Sequence, residues 1–378
     1  MEYEYFDIFT LILYVCVAYF CYFQFRAASM CCHGVNNKNN CTPYYNIFIV
    51  LSLFAALRSI ENGIGGSDAR PYESIFLNAL KSVEQFEHTD VLFGWFTICI
   101  RYFTDNPIIY RFICYSIIVL GYIYFFKAFC IRGISCIPFI VLMIPYLKSF
   151  NTMRTSLAIA VILFGLVLLK EKRTFWAVLV ILASVFVHRM SVLYILFLPF
   201  YAIFKKFKYE SSVKLIVVMA ALSVIGYLLA RKVQIYVLAA GMLSGHDDHY
   251  LSANLKGSIL DIAVTLIPLL LIAMMWLINN KKLPNSRNVK FLELMVSFDI
   301  IITPVAYVLG MWRANEYFYM GRLMFWAYLI PVYCSIYEVR SRKLVKACFI
   351  AMFTAWLVYR ICREWEPCSL MPYKLFFQ

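Results

Sequence analysis

Apolar runs follow one another along almost the whole chain, at residues 6–25, 44–60, 107–127, 134–148, 151–169, 174–187, 190–204, 213–231, 258–278, 291–311, 320–338 and 343–361. A helix needs about 20 apolar residues to cross a bilayer, and short polar loops bound these runs, so the pattern predicts about twelve transmembrane helices. A further run at 91–103 is too short to span comfortably. It holds Trp95 and ends near Arg101, which predicts a short re-entrant or interfacial helix. No long polar interval leaves room for a separate soluble domain. The expected fold is therefore an all-α polytopic integral membrane protein, with 1–378 as a single membrane domain.

The loops carry a second pattern. Basic residues collect in alternate loops: Arg26, His33 and Lys38; Lys127 and Arg132; Lys170, Lys172 and Arg173; Lys205, Lys206 and Lys208; Lys281, Lys282 and Arg287; Arg340, Arg342 and Lys343. The positive-inside rule makes these loops cytoplasmic and puts both termini outside. The main external segments are then 61–106, 232–257, 312–319 and the tail 363–378, with short external turns at 148–151 and 188–191. Four of the five histidines, His88, His188, His246 and His249, fall in external segments. The acidic start (Glu2, Glu4, Asp7) lacks the basic region and cleavage site of a signal peptide, so the first run is expected to stay as a helix.

Composition narrows the class further. With 63% hydrophobic and 15% charged residues and a mean hydropathy of +0.75, the chain cannot cover one core with a water-soluble surface. The net charge of +14 sits in the short loops, where topology accounts for it, and no nucleic-acid module or nucleic-acid partner is expected. The 13 cysteines mostly lie inside apolar runs, where Cys behaves as a small hydrophobe. Cys31, Cys32, His33 and Cys41 fit no usual zinc spacing, and neither a metal nor another cofactor is expected.

Several polar groups stand out against this background. Arg154 lies in the first turn of an apolar helix, in Asn151-Thr-Met-Arg-Thr-Ser, where unpaired backbone N–H groups and the helix dipole already favour an anion. A snorkelling arginine is the plain alternative. His188 and Arg189 interrupt a run too long for one straight span, so they must sit at a turn, where the imidazole could act as a base or simply hold the turn. Asp68, Arg70, Tyr72 and Glu73 follow Gly65-Gly66 in a turn suited to carbohydrate hydroxyls. His246, Asp247, Asp248 and His249 cluster in what reads as an exposed loop. Arg313 and Arg322 bracket an external turn, against the usual bias for arginine inside, and Arg322 opens a helix as Arg154 does.

Taken together, these residues resemble the EpsG family of polysaccharide-assembly proteins, relatives of Wzy-type O-antigen and capsule polymerases. The matching features are Gly66-Ser67-Asp68 with Tyr72, Asn151-x-x-Arg154 followed by Ala158-x-Ala160, His188-x-x-Ser191, Arg322, and the tail Met371-Pro372-Tyr373-Lys374. One departure is Thr155, where the family commonly has Gln; Arg189 and Met190 stand where Lys or Ser is frequent. The resemblance implies a GT-C-like membrane glycosyltransferase in the bacterial cytoplasmic (inner) membrane. It would join undecaprenyl-pyrophosphate-linked glycans, both donor and acceptor, on the outer face, with no metal or nucleotide sugar, and with a chain-length regulator as a further partner. On that footing Arg154 and Arg322, supported by Arg313 and Arg189, would hold pyrophosphate, and His188 or Asp68 would be the base. Asn151, Arg70, Tyr72 and Tyr373 would meet the glycan. An O-antigen ligase or another lipid-sugar glycosyltransferase uses the same donor. A lipid-linked oligosaccharide flippase or secondary transporter is the rival from another class, although no two-fold repeat and no charge pair within the apolar depth is visible.

Overall fold

A computed structural model describes residues 6–31, 41–60, 64–66, 68–80, 90–130, 134–204, 212–239, 259–279, 282–284, 286–308, 314–364 and 368–376. The apolar runs become helices, and the described residues form no named strand. In chain order they are α1 (Ile8–Cys31), α2 (Thr42–Ala56), α3 (Ala69–Asn78), α4 (Val91–Phe103), α5 (Pro107–Phe129), α6 (Met143–Lys148), α7 (Met153–Lys170), α8 (Thr174–Val187), α9 (Val192–Phe204), α10 (Ser212–Ala239), α11 (Ile259–Asn279), α12 (Arg287–Val308), α13 (Ala314–Tyr317), α14 (Tyr319–Cys334) and α15 (Val339–Glu364).

Four of these, α1, α5, α7 and α15, are long and apolar enough to cross a membrane among the described residues, where the run lengths predicted about twelve crossings. Part of the difference has a local cause. The run at 134–148 is not one helix: Ile137–Leu142 is a 3₁₀ segment that passes into the six-residue α6. Pro138 and Pro145 remove backbone donors there. Its side chains from Ile137 to Leu147 are all buried in protein, so this segment need not match the bilayer by itself. In the opposite sense, α10 continues through Arg231 and Lys232 to Ala239, into the stretch expected to be loop.

The chain divides into two compact units: one of residues 1–195 with 338–378, the other of residues 196–337. In the first, small residues set the spacing. A Cβ on Gly121 of α5 would come within 2.8 Å of the Ala160 backbone of α7, so glycine lets these two helices touch. Large apolar side chains such as Phe9, Phe175 and Trp176 face outward, as lipid-facing helices require.

Contacts within this unit sort its helix ends. At one end, the Tyr373 N–H donates to Thr10 Oγ1 in the first turn of α1 (2.9 Å). The Ser59 N–H, just past α2, donates to the Lys374 carbonyl (2.7 Å), and Lys148 closing α6 pairs with Glu364 closing α15 (3.4 Å). At the other end, Lys170 closing α7 donates to the Ala128 carbonyl of α5, and Cys136 lies 3.6 Å from Ser29 of α1. This is the alternation that the basic loops predicted for these helices. The helix at 91–103 is present, but both of its ends lie at the first of these ends. Asp90 at its start meets Arg154, and three residues after Phe103 the chain enters α5, where Arg111 reaches the Ala56 carbonyl (3.1 Å) and Glu73 (3.0 Å). Hence α4 does not traverse the unit.

The second unit is built on α12. Trp276 of α11 donates its indole N–H to Glu293 (3.2 Å) and packs edge-on against Phe325 of α14. Phe197, Phe291 and Phe298 form an aromatic cluster beside it.

Candidate functional site

The candidate site grows from the junction of α6 and α7, where Phe150-Asn151-Thr152 turns the chain back into the bundle. Gly66 packs directly on this turn. It has φ +117°, and a Cβ there would lie 2.5 Å from the Phe150 carbonyl oxygen, so a glycine is required on both counts. Its N–H donates to the Ser369 carbonyl of the tail (3.0 Å). Two residues on, the Asp68 N–H donates to Asn151 Oδ1 (2.9 Å), and Asp68 takes the N-cap position of α3. The loop after α2, the α7 entrance and the tail are thereby locked together by backbone and amide contacts.

Beneath this turn lies Arg58, 2% exposed. Its guanidinium donates to the Gly65 carbonyl (2.7 Å), the Ala55 carbonyl (2.5 Å) and the Tyr115 hydroxyl (3.0 Å), and it stacks on the Phe150 ring at 4.1 Å. The Tyr115 hydroxyl in turn donates a hydrogen bond to the Ser149 carbonyl (2.9 Å). Each of the three nitrogens of the Arg58 guanidinium is thus engaged in holding the floor of the site.

Arg154 lies in the first turn of α7, partly exposed. Its guanidinium lies 5.6 Å from the centre of the Tyr72 ring and 5.9 Å from that of Phe93, and its Nη1 donates to Asp90 Oδ2 at 2.8 Å. Its Nε finds no hydrogen-bond partner among the described residues. Asp90 opens α4 in the left-handed conformation, φ +46°, which an aspartate tolerates better than most side chains. Its second oxygen, Oδ1, accepts the Arg189 backbone N–H at 3.2 Å. Burial raises the Asp90 carboxyl above the ordinary aspartate range, while Arg154 and the Arg189 N–H pull it back.

The break at 188–191 is as expected. α8 ends at Val187, His188 is extended, and Arg189–Ser191 forms one 3₁₀ turn closed by the Ser191 N–H on the His188 carbonyl (2.9 Å). The imidazole Nε2 lies 3.3 Å from Thr155 Oγ1. His188 therefore meets α7 one residue from Arg154. Arg189 is exposed, and its backbone N–H makes the contact with Asp90.

Of the residues singled out in the sequence, Asp68, Tyr72, Asn151, Arg154, His188 and Arg189 come together here. Arg70 is exposed on α3. Tyr373 is taken up by packing: its ring stacks on Phe54 (4.4 Å) and its hydroxyl donates to the Phe54 carbonyl (2.7 Å). Burial pushes its phenol up to about 12. Arg322, in the second unit, is 5% exposed. It forms a two-pronged pair with Asp299, with Nη2 to Oδ1 at 2.7 Å, and Nη2 is also 3.3 Å from Thr303 Oγ1. Asp299 is 1% exposed within the run at 291–311, so two of the apolar runs share a buried charge pair. Arg313, His88, Cys32, His33 and the group His246, Asp247, Asp248 and His249 lie outside the described residues. Among the described residues no three His, Cys, Asp or Glu side chains gather as a metal site.

Asp90 and Thr155 were not foreseen as site residues. The available signal for Asp90 was its place, an acid at the head of a short apolar helix between α3 and α5. For Thr155 it was the departure from Gln beside Arg154.

Fold and site together define a helical membrane protein with a cradle of paired charges at one end of its first unit. The chain belongs to the EpsG family, which it matches over residues 41–375, nearly its whole length. Members of that family are Wzy-like polysaccharide polymerases. No curated protein and no solved structure matches the chain.

Proposed function

We propose that the protein is a repeat-unit polymerase for a surface polysaccharide, a membrane glycosyltransferase of GT-C-like architecture. It joins undecaprenyl-pyrophosphate-linked oligosaccharides on the outer face of the bacterial cytoplasmic membrane. The observation that carries this reading is the meeting of His188 with α7 at Thr155, next to Arg154. A proton acceptor then stands against the residue that follows the fixed cation in α7, as the reaction needs.

In that reaction an acceptor hydroxyl oxygen attacks the anomeric carbon of the donor glycan. The bond from that carbon to the pyrophosphate oxygen breaks, and the lipid pyrophosphate leaves with the electron pair. The hydroxyl proton passes to His188 Nε2, with Asp68 as the second candidate base. Arg154, at a helix start, stabilises the charge growing on the leaving phosphate. Asn151 and Tyr72 line the glycan side, with Arg70 at the exposed rim. Arg154 rather than Arg322 takes the phosphate role, because Asp299 grips the buried Arg322 guanidinium through both Nε and Nη2, whereas Asp90 holds the partly exposed Arg154 through Nη1 and leaves its Nε without a partner among the described residues.

Deleting the gene in its host and sizing the surface polysaccharide tests this. The deletion is expected to leave single repeat units, and Arg154→Ala and His188→Ala are expected not to restore long chains. Long chains of unaltered length in the deletion strain would overturn the reading. Restoration by His188→Ala alone would move the base to Asp68.

A further inference from the structure

Asp90 has no part in the reaction as described, yet its carboxylate touches both sides of the site. One oxygen is 2.8 Å from Arg154 Nη1 and the other is 3.2 Å from the Arg189 backbone nitrogen. The Asp90 side chain is 8% exposed and that of Arg154 33%, so the carboxylate is sheltered while the guanidinium stays within reach of an incoming anion. It approaches Arg154 from α4, a different element from either motif that frames the arginine. The guanidinium therefore carries an anion of the protein's own, on Nη1, while Nε stays without a partner.

We propose that Asp90 is the resident counter-anion of Arg154, which the donor's phosphate displaces on binding and which returns to Arg154 to expel the lipid-pyrophosphate product. This inference rests on the reading of Arg154 as the phosphate contact. The exchange makes and breaks no covalent bond; one anion replaces another on the same guanidinium. An arginine holding free pyrophosphate with nothing to compete for it would bind tightly and let go slowly. A carboxylate in contact range raises the apparent dissociation constant by the factor in which its closed pair outweighs the open one. The Arg189 N–H gives the displaced carboxylate a fixed place to wait, since that bond uses the other oxygen.

The test is binding of inorganic pyrophosphate to the purified full-length protein in detergent, by titration calorimetry. Asp90→Asn removes the charge, keeps an oxygen for the Arg189 N–H and tolerates the left-handed backbone. It is expected to bind pyrophosphate at least about tenfold more tightly than the wild type, and to polymerise more slowly in the host because the product is retained. Asp90→Glu, which restores the charge, is expected to move both readings back toward wild type. Should Asp90→Asn not fold, Asp90→Gly suits φ +46° and gives the same reading of charge. A simple loss of structure would lower binding and polymer yield together, whereas the exchange moves them in opposite directions. Equal or weaker binding in the neutral variants, or tighter binding with wild-type polymer yield, would overturn the role of Asp90 and leave Arg154 in place. Binding that survives Arg154→Gln, or is absent throughout, would overturn the phosphate reading itself.

Discussion

The Thr155 hydroxyl shows how a single side chain can decide the chemistry here. It follows Arg154 in the Asn151-x-x-Arg154 motif and lies 3.3 Å from His188 Nε2. Thr155→Val keeps the shape and removes the hydrogen bond, a loss of about 1 kcal/mol. The expected result is a fall of about fivefold in the rate of chain growth, with an unchanged thermal transition; an unchanged rate would show that the reaction does not use this contact. The sequence made Arg154 and His188 legible because each interrupts an apolar run, where a charge is costly and so conspicuous. Asp90 was hidden by the opposite circumstance. It lies in a polar loop, where carboxylates are common, and its partner is 64 residues away in the chain.

The tail and the loop after α2 depend on each other for their structure. Arg58 and Leu375 form an isolated bridge, the Tyr14 hydroxyl donates to the Leu370 carbonyl (2.5 Å), and the Gly66 N–H donates to the Ser369 carbonyl (3.0 Å). Arg58→Met would strip charged donors from the Gly65 and Ala55 carbonyls while keeping much of the apolar bulk. The expected cost is about 3 kcal/mol, seen as a lower melting temperature in detergent and as faster proteolysis of residues 368–376. An unchanged melting temperature would mean that the buried guanidinium does not hold this junction. Long uniform runs such as that of α7 were legible because a helix is the only open-ended way to satisfy its backbone in lipid. The segment at 134–148 was misread as one helix because its apolar count conceals Pro138 and Pro145, and α10 outran its expected end because Arg231 and Lys232 can lie on a helix surface. The positions of Arg58 and Tyr373 depend on contacts between chain ends, which periodicity does not encode.

Across the first unit, one end gathers Asp68, Tyr72, Asp90, Asn151, Arg154 and His188 around the tail, and the opposite end holds Lys170 of the basic turn. Loop charges alone predicted that division, and the contacts among helix ends reproduce it. The account's central claim is that this polar end joins lipid-linked glycans through Arg154. The most direct measurement supplies the purified protein with the lipid-linked single repeats that accumulate in a deletion strain and follows product length on a gel. The account predicts a ladder of lengthening chains from the wild type and no ladder from a folded Arg154→Ala protein. A ladder of equal length and rate from Arg154→Ala, or none from the folded wild type, would contradict it.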